Sequence, residues 1–359
     1  MKIAFFGSYN KNYARNLILR ESLRQNNIEI IDFYLKSERN IFRKIIELFK
    51  IYNNNYDILF ITDNFRKFTF YDILLAKFLS IINRKKLVID KIISLYVSGV
   101  IEYKHYKKDS WKSLMIHLIE IFSLKLANLV ITDTMSRRKL FIKFFNGNPK
   151  KIKRVFLGSY DKIFYPRPKN NNKNKFIITY YGSFAPWMGI ENIIKAANYL
   201  KDYEDIYFEL IGDGPTFNKI NKMIMDLKLN NVKLYGRVPF KILPDYINKG
   251  NIMLAGHFGQ TIKAQITIGN KVFDGLALKM PIIVTNTIAI KELLTDRVNC
   301  LISKIDDPIS LKEKIVELYE NKSLRDKIAI NGYKLFKEKC SMQIIGKNFK
   351  KYLFSLYEK

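Results

Sequence analysis

Cysteine, histidine, proline and acidic side chains are all scarce in this chain of 359 residues. The two cysteines, Cys300 and Cys340, sit in neither a Cys-x-x-Cys pair nor a Cys/His cluster, which leaves a disulfide scaffold and a zinc site without ligands. The three histidines, His105, His117 and His257, are scattered, and only His257 lies near a stretch with the marks of a site. No window approaches the 18 or so uncharged apolar residues of a spanning helix. The richest, Ile116 to Ile131, is interrupted by Glu120, Lys125 and Asn128. The opening Met1 to Gly7 reads as a first strand rather than a signal peptide. Together these features predict a cytoplasmic protein.

What the chain does have is basic charge. Lysine and arginine number 62 against 33 acidic residues, and up to Asn170 the count is 33 against 14. Such a field suits nucleic acid, an anionic membrane face or a phosphorylated substrate, and it also fits a plain compositional enrichment in Asn, Lys, Ile, Tyr and Phe. The basic stretches Lys104 to Lys108 and Lys150 to Arg154 lack any recognised nucleic-acid motif, which makes a nucleic-acid partner the weaker reading. Asn40 to Tyr52 and the helix ending in Asn83-Arg84-Lys85-Lys86 combine apolar faces with cations. That composition serves a packed helix with a solvated basic face, or a helix lying on an anionic leaflet.

Apolar runs and amphipathic segments alternate throughout. Strands are predicted over 2–7, 28–33, 58–62, 87–89 and 129–132, and helices over 12–25, 41–52, 71–82, 111–127 and 135–145. A polar segment rich in proline and asparagine, 166–175, reads as a linker. A second series follows, with strands over 176–181, 206–211, 232–235, 251–255, 282–284 and 300–302. Its helices are predicted over 189–200, 216–227, 239–248, 289–294, 308–319 and 323–336, before a final one over 342–357. The pattern implies two doubly wound α/β domains, residues 1–165 and 176–337, with the segment 338–359 packing back on the first. A nucleotide derivative would bind in a cleft between two such domains, at strand carboxyl ends.

The stretch Gly259 to Pro281 carries the most chemistry. It joins two apolar strands through a loop bearing Thr261, Lys263 and Thr267 and a helix that begins Asn270-Lys271. Unpaired first-turn amides and the helix dipole favour a phosphate there, and the two lysines add charge. Asp274, one turn further in, is placed to accept hydrogen bonds from sugar hydroxyls.

Four motifs of the second half match, in order and spacing, those of a known family. They are Tyr181-Gly182-Ser183 with Gly189-Ile190-Glu191-Asn192; Glu209-Leu210-Ile211-Gly212-Asp213-Gly214-Pro215; Val232 to Pro239; and Asn270 to Ala277 running into Lys279-Met280-Pro281. The chain resembles the retaining glycosyltransferases of the GT-B fold, family 4 type, which move a sugar from a nucleotide diphosphate to an acceptor. In the first half, Gly158 to Pro166 is similar to the family's hinge, and Asp90 with Ser94-Leu95-Tyr96 to a loop that faces the acceptor. Two departures stand out: Ile266 occupies the first of the family's two glutamate positions, with Asp274 at the second, and Ser183 and Met188 stand where a basic diphosphate clamp is usual.

The resemblance implies a glycosyltransferase for cell-surface polysaccharide or glycolipid precursors, using a nucleotide-sugar donor, a saccharide or lipid-linked acceptor, and neither metal nor cofactor. It implies donor contacts from Gly7, Arg15, Gly182, Ser183, Gly212, Lys263, Asn270, Lys271 and Asp274. Catalytic roles fall to Lys263 and Lys271, which stabilise the leaving diphosphate, and to Asp90, which orients or deprotonates the acceptor. Each has a plainer alternative: Asp90 and Asp274 as local caps, Gly7 as a turn glycine, Arg15 and the lysines as solvated side chains. Two rival functions stay open, a nucleotide-sugar binder without turnover, suggested by Ile266 and Met188, and a basic nucleic-acid-binding protein. Attachment to the inner face of the cytoplasmic membrane through the basic first half is a further expectation.

Overall fold

The computed structural model describes residues 1–7, 9–34, 46, 49–51, 54–62, 69–168 and 174–358. Most of the helix predicted over 41–52 lies outside them, as do Ser8 and part of the predicted linker. The chain divides into two compact units, the first made of Met1–Leu157 with Met342–Lys359 and the second of Gly158–Ser341.

The first unit runs β1 (Lys2–Gly7), α1 (Ala14–Arg24), β2 (Glu29–Tyr34), β3 (Ile58–Thr62), α2 (Thr69–Ile82), β4 (Lys86–Asp90), α3 (Trp111–Leu126), β5 (Leu129–Thr132), α4 (Met135–Phe145) and β6 (Ile152–Arg154). Its strands form one parallel sheet in the order β2-β1-β3-β4-β5-β6. The central strands are buried over their whole length, as expected where helices cover both faces. Ala4, Phe6, Leu59, Ile61, Leu87, Ile89 and Val130 form one side of the core. The sequence reading did not anticipate β6, nor the π-helical turn Val97–Glu102 that follows the β4 loop.

The second unit continues with β7 (Phe176–Tyr181), α5 (Ile190–Tyr199), β8 (Ile206–Ile211), α6 (Phe217–Asp226), β9 (Val232–Leu234), α7 (Leu243–Asn248), β10 (Ile252–Leu254), α8 (Ile262–Ile266), α9 (Asn270–Ala277), β11 (Ile282–Thr285), β12 (Leu301–Ser303), α10 (Pro308–Glu320) and α11 (Lys322–Lys339). Its parallel sheet has the order β12-β11-β10-β7-β8-β9. Strand order reverses between β7 and β10, so the loops leaving their carboxyl ends diverge and open a crevice at that point. Both doubly wound domains of the GT-B architecture are present.

Several helices differ from the sequence reading, among them α8, which lies within the predicted loop 259–269. Pro239 does not start α7; the helix begins at Leu243 and uses Pro244 in its first turn, where a missing N–H costs nothing. The segment 289–294 supplies only a 3-10 turn, Ile290–Glu292. The domain boundary also falls earlier than residue 165. Phe164 packs against Phe240 with ring centres 5.5 Å apart, Arg167 pairs with Asp245, and Pro168 accepts a bond from Asn248, which ties 158–168 to the second unit. At the other end, α12 (Met342–Phe354) packs on α1 within the first unit. Gly346 makes that approach possible, since a Cβ there would stand 2.0 Å from the Ser22 carbonyl oxygen.

Candidate active site

In the second unit the candidate residues gather where the strand order reverses. Lys271 is the second residue of α9, and the rest of that helix is buried. Its ammonium therefore cannot reach solvent along its own stem and turns toward β7 instead. Nζ donates to the Tyr180 hydroxyl at 3.0 Å, lies 3.2 Å from the Met188 sulfur, and sits 4.3 Å from the centre of the Tyr180 ring. No acidic side chain among the described residues forms an ion pair with it. Burial alone pushes the amine down from its ordinary 10.5 to about 7. A buried cation with neutral partners only is costly unless an anion joins it.

Met188 thus touches Lys271, although the family's usual basic residue is absent from that region. Gly182 makes room for the amine: a Cβ there would stand 3.1 Å from Lys271 Nζ, and its φ of +154° is one that side chains disfavour. Gly212 is placed by the same crowding, because its Cβ would meet the Gly182 carbonyl oxygen at 1.9 Å. The amides of both glycines are committed, Gly182 to Ile211 at 3.0 Å and Gly212 to Gly236 at 2.7 Å. Their part in a site is to let other groups approach. Ser183 is exposed, and Asn270 is half-buried at the start of α9.

Asp274 follows Lys271 by one turn on the same helix and is 4% exposed. One carboxylate oxygen accepts from Ser159 and the other from the Tyr181 hydroxyl. Burial lifts its pKa from 3.8 to about 7, and these two hydrogen bonds hold it lower than burial alone would. Lys263 lies on α8, a five-residue helix that Thr261 caps by accepting from the Ala264 amide at 3.1 Å. Its Nζ stands 4.1 Å from the centre of the Trp187 ring, which also meets His257 edge-on at 4.9 Å. Ile266, in a glutamate position of the family, ends this helix half-buried.

The first unit holds the remaining three candidates. Arg15 and Asp90 satisfy each other: Nε donates to one Asp90 oxygen at 3.0 Å and Nη2 to the other at 2.9 Å, with both side chains at most 2% exposed. Arg15 Nη1 donates to the carbonyls of Val155 and Phe156 at 2.9 and 2.7 Å. This arrangement differs from the expected contact of Arg15 with phosphate and of Asp90 with acceptor. The fork clamps the ends of β4 and β6 to α1. Gly7 has φ +116°, and a Cβ there would stand 3.3 Å from the Asp72 carboxylate, a poor neighbour for phosphate.

Sequence reasoning passed over four of these groups. Tyr180, Tyr181 and Ser159 became visible only through their contacts with α9, and Trp187 only through Lys263. Asp133, paired with Arg137 at the end of β5, has one buried oxygen without a hydrogen-bond partner, and its pKa is raised chiefly by burial. Among the described residues no group of three His, Cys, Asp or Glu side chains is placed to hold a metal ion.

Comparisons with known proteins agree with this architecture. An uncharacterised glycosyltransferase of Methanocaldococcus jannaschii is 27% identical over 62% of this chain and 66% of its own length. The capsular polysaccharide biosynthesis glycosyltransferase CapM of Staphylococcus aureus is 27% identical over 66% of this chain, and the match covers 63% of that protein. Among solved structures, Anabaena HepE in complex with UDP and glucose superposes with a TM-score of 0.74 at 16% identity, covering 99% of this chain and 100% of the other. Sucrose-phosphate synthase from Thermosynechococcus elongatus gives 0.75 at 14% identity, covering 99% of each. The chain thus has the GT-B glycosyltransferase fold, with the family described as Glycosyl transferases group 1 matched over residues 161–335.

Proposed function

We propose that this protein transfers a sugar from a nucleotide diphosphate sugar to a saccharide or lipid-linked acceptor, with retention at the anomeric carbon, during assembly of a surface polysaccharide or glycolipid at the cytoplasmic side of the membrane. The observation that carries the reading is Lys271, a buried amine that forms no ion pair with a carboxylate among the described residues, at the amino end of a helix and at the reversal of a parallel sheet. A diphosphate supplies the missing anion. The relatives support the class of acceptor, since CapM is named for capsular polysaccharide, and HepE for its complex with UDP and glucose supports the class of donor.

In this mechanism the bond between the anomeric carbon and the diphosphate oxygen breaks, and its electron pair stays on the phosphate. Lys271, which takes up a proton from solvent because the arriving anion favours its charged form, stabilises that charge, and Lys263 adds a second cation from α8. Asp274 uses its remaining lone pairs for donor hydroxyls. The acceptor oxygen bonds to the anomeric carbon on the face the phosphate leaves, and its proton passes to that phosphate. No metal or cofactor takes part; the nucleotide sugar is a substrate.

Ile266 motivates a second reading, a binder of nucleotide sugars that does not turn them over, because a polar group facing the sugar is missing from that family position. A thermal-shift panel of UDP, GDP, ADP, CMP and their sugar conjugates separates the cases. One base family at about 100 times its Kd should stabilise the wild type by roughly 2.7 kcal/mol and leave Asp274→Ala unshifted. Stabilisation without release of free nucleotide, across saccharide and polyprenyl-linked acceptors, would favour the second reading. Absence of any shift would reject both.

A further inference from the structure

The first unit carries an apolar surface that the transfer reaction does not use. On α2, Tyr71, Leu74, Phe78 and Ile81 recur at helical spacing and are 57%, 41%, 61% and 62% exposed. On α3, which packs beside α2, Trp111, Leu114, Leu118 and Phe122 also recur at helical spacing and are 70%, 60%, 36% and 50% exposed. Each set spans roughly 100° of its helix, the width of a stripe that normally faces a core. Here two such stripes lie side by side in water. A hollow of about 560 Å³ between the start of α2, the π-helical turn and α3 joins them, with Phe70, Tyr103, Trp111 and Met115 on its walls.

The rim is basic. Arg84, Lys85 and Lys86 follow α2, and Lys104, Lys107, Lys108 and Lys112 lead into α3. Against them stand Asp109 and the half-buried Glu102, while Asp72 and Glu120 are buried, the latter paired with Lys91 at 2.7 Å. Patches this apolar are rare on a soluble surface. A second copy of this chain would bring an identical cationic rim, on a molecule of net charge +29, against the first. An anionic bilayer complements both parts: lipid tails take up the aromatic and aliphatic side chains, tryptophan and tyrosine suit the headgroup boundary, and phosphates meet the lysines.

We infer that the α2–α3 face docks on an anionic lipid bilayer, with Phe78, Trp111 and Leu114 inserted below the headgroups. The surface belongs to the first unit and the buried Lys271 to the second, and the test of the surface does not depend on turnover. It also differs from the helix 41–52 singled out in the sequence, most of which lies outside the described residues.

The chain contains two tryptophans, Trp111 and Trp187. In Trp187→Phe the emission therefore reports Trp111 alone. Vesicles of phosphatidylcholine with about a third phosphatidylglycerol should shift that emission to the blue and float the protein, and pure phosphatidylcholine should do neither. Salt should weaken the binding, because exposed charges are screened within about 10 Å at 0.1 M. Phe78→Glu combined with Leu114→Glu, both at exposed positions, should lower the partition coefficient about tenfold or more. Unchanged melting temperature and far-UV circular dichroism would show that this variant is folded. Equal flotation of wild type and variant, an unshifted Trp111 emission, or a dimer that the double substitution dissociates without any vesicle binding would each overturn the proposal.

Discussion

Lys271→Met should stabilise the protein at neutral pH while weakening its affinity for the donor. The unfolded lysine titrates at its ordinary 10.5 and the folded one near 7, so between these values the unfolded chain holds a proton that the folded chain lacks. Stability of the wild type therefore rises as pH climbs from 7 toward 10.5, and the charge penalty is fully present below 7. Methionine removes that penalty, which shifts of this size put on the order of 2–4 kcal/mol at pH 7, less the lost bond to Tyr180. Asp274 contributes a limb of opposite slope. Its folded pKa near 7 stands above the unfolded 3.8, so its contribution is present at low pH and is lost as pH rises to 7. Denaturant midpoints measured from pH 5 to 10 should accordingly dip near 7 in the wild type, and Lys271→Met should lose the upper limb only.

Binding should move the other way. Loss of a charge-assisted contact to phosphate weakens nucleotide diphosphate affinity roughly tenfold to a hundredfold. At pH 8 the wild type should take up as much as one proton on binding, seen as buffer-dependent heats in calorimetry, and Lys271→Met should take up none at this site. A lysine with a packing role only would give a less stable variant with intact proton uptake.

The second large effect concerns Arg15 and Asp90. Removing one partner leaves the other charged, buried and unpaired, so Arg15→Leu and Asp90→Leu should each cost about 3–5 kcal/mol. The double substitution should recover most of that loss, because an apolar pair of similar volume carries no desolvation penalty. Chemical denaturation of all four proteins gives the coupling directly. If Asp90 were instead the acceptor's base, Asp90→Asn would lower kcat and leave the denaturation midpoint in place.

How much of this was legible in the sequence follows from the range of each interaction. Strand and helix identity depends on periods of a few residues, and β1, β3, β5 and α4 came out with the bounds predicted for them. The motifs around Gly182, Gly212 and Asn270 are local too, and the sheet brings them together by topology alone. The pairings are another matter. Arg15 and Asp90 are 75 positions apart and Ser159 and Asp274 are 115 apart, and no local pattern marks either pair. Periodicity also gave α2 and α3 an apolar stripe without saying whether anything covers it. For α8 the obstacle was size, since five residues make little more than one turn.

The route of the chain has a consequence for how the protein comes into being. Residues 1–157 are synthesised before the second unit, yet the helix that covers α1 is encoded after that unit. On the ribosome the amino-terminal sheet emerges without that cover and waits while the whole second unit is made, and domains fold as units during synthesis. The first unit is therefore completed only after the second. A premature stop anywhere after Ser341 leaves an intact second unit attached to an unfinished first one.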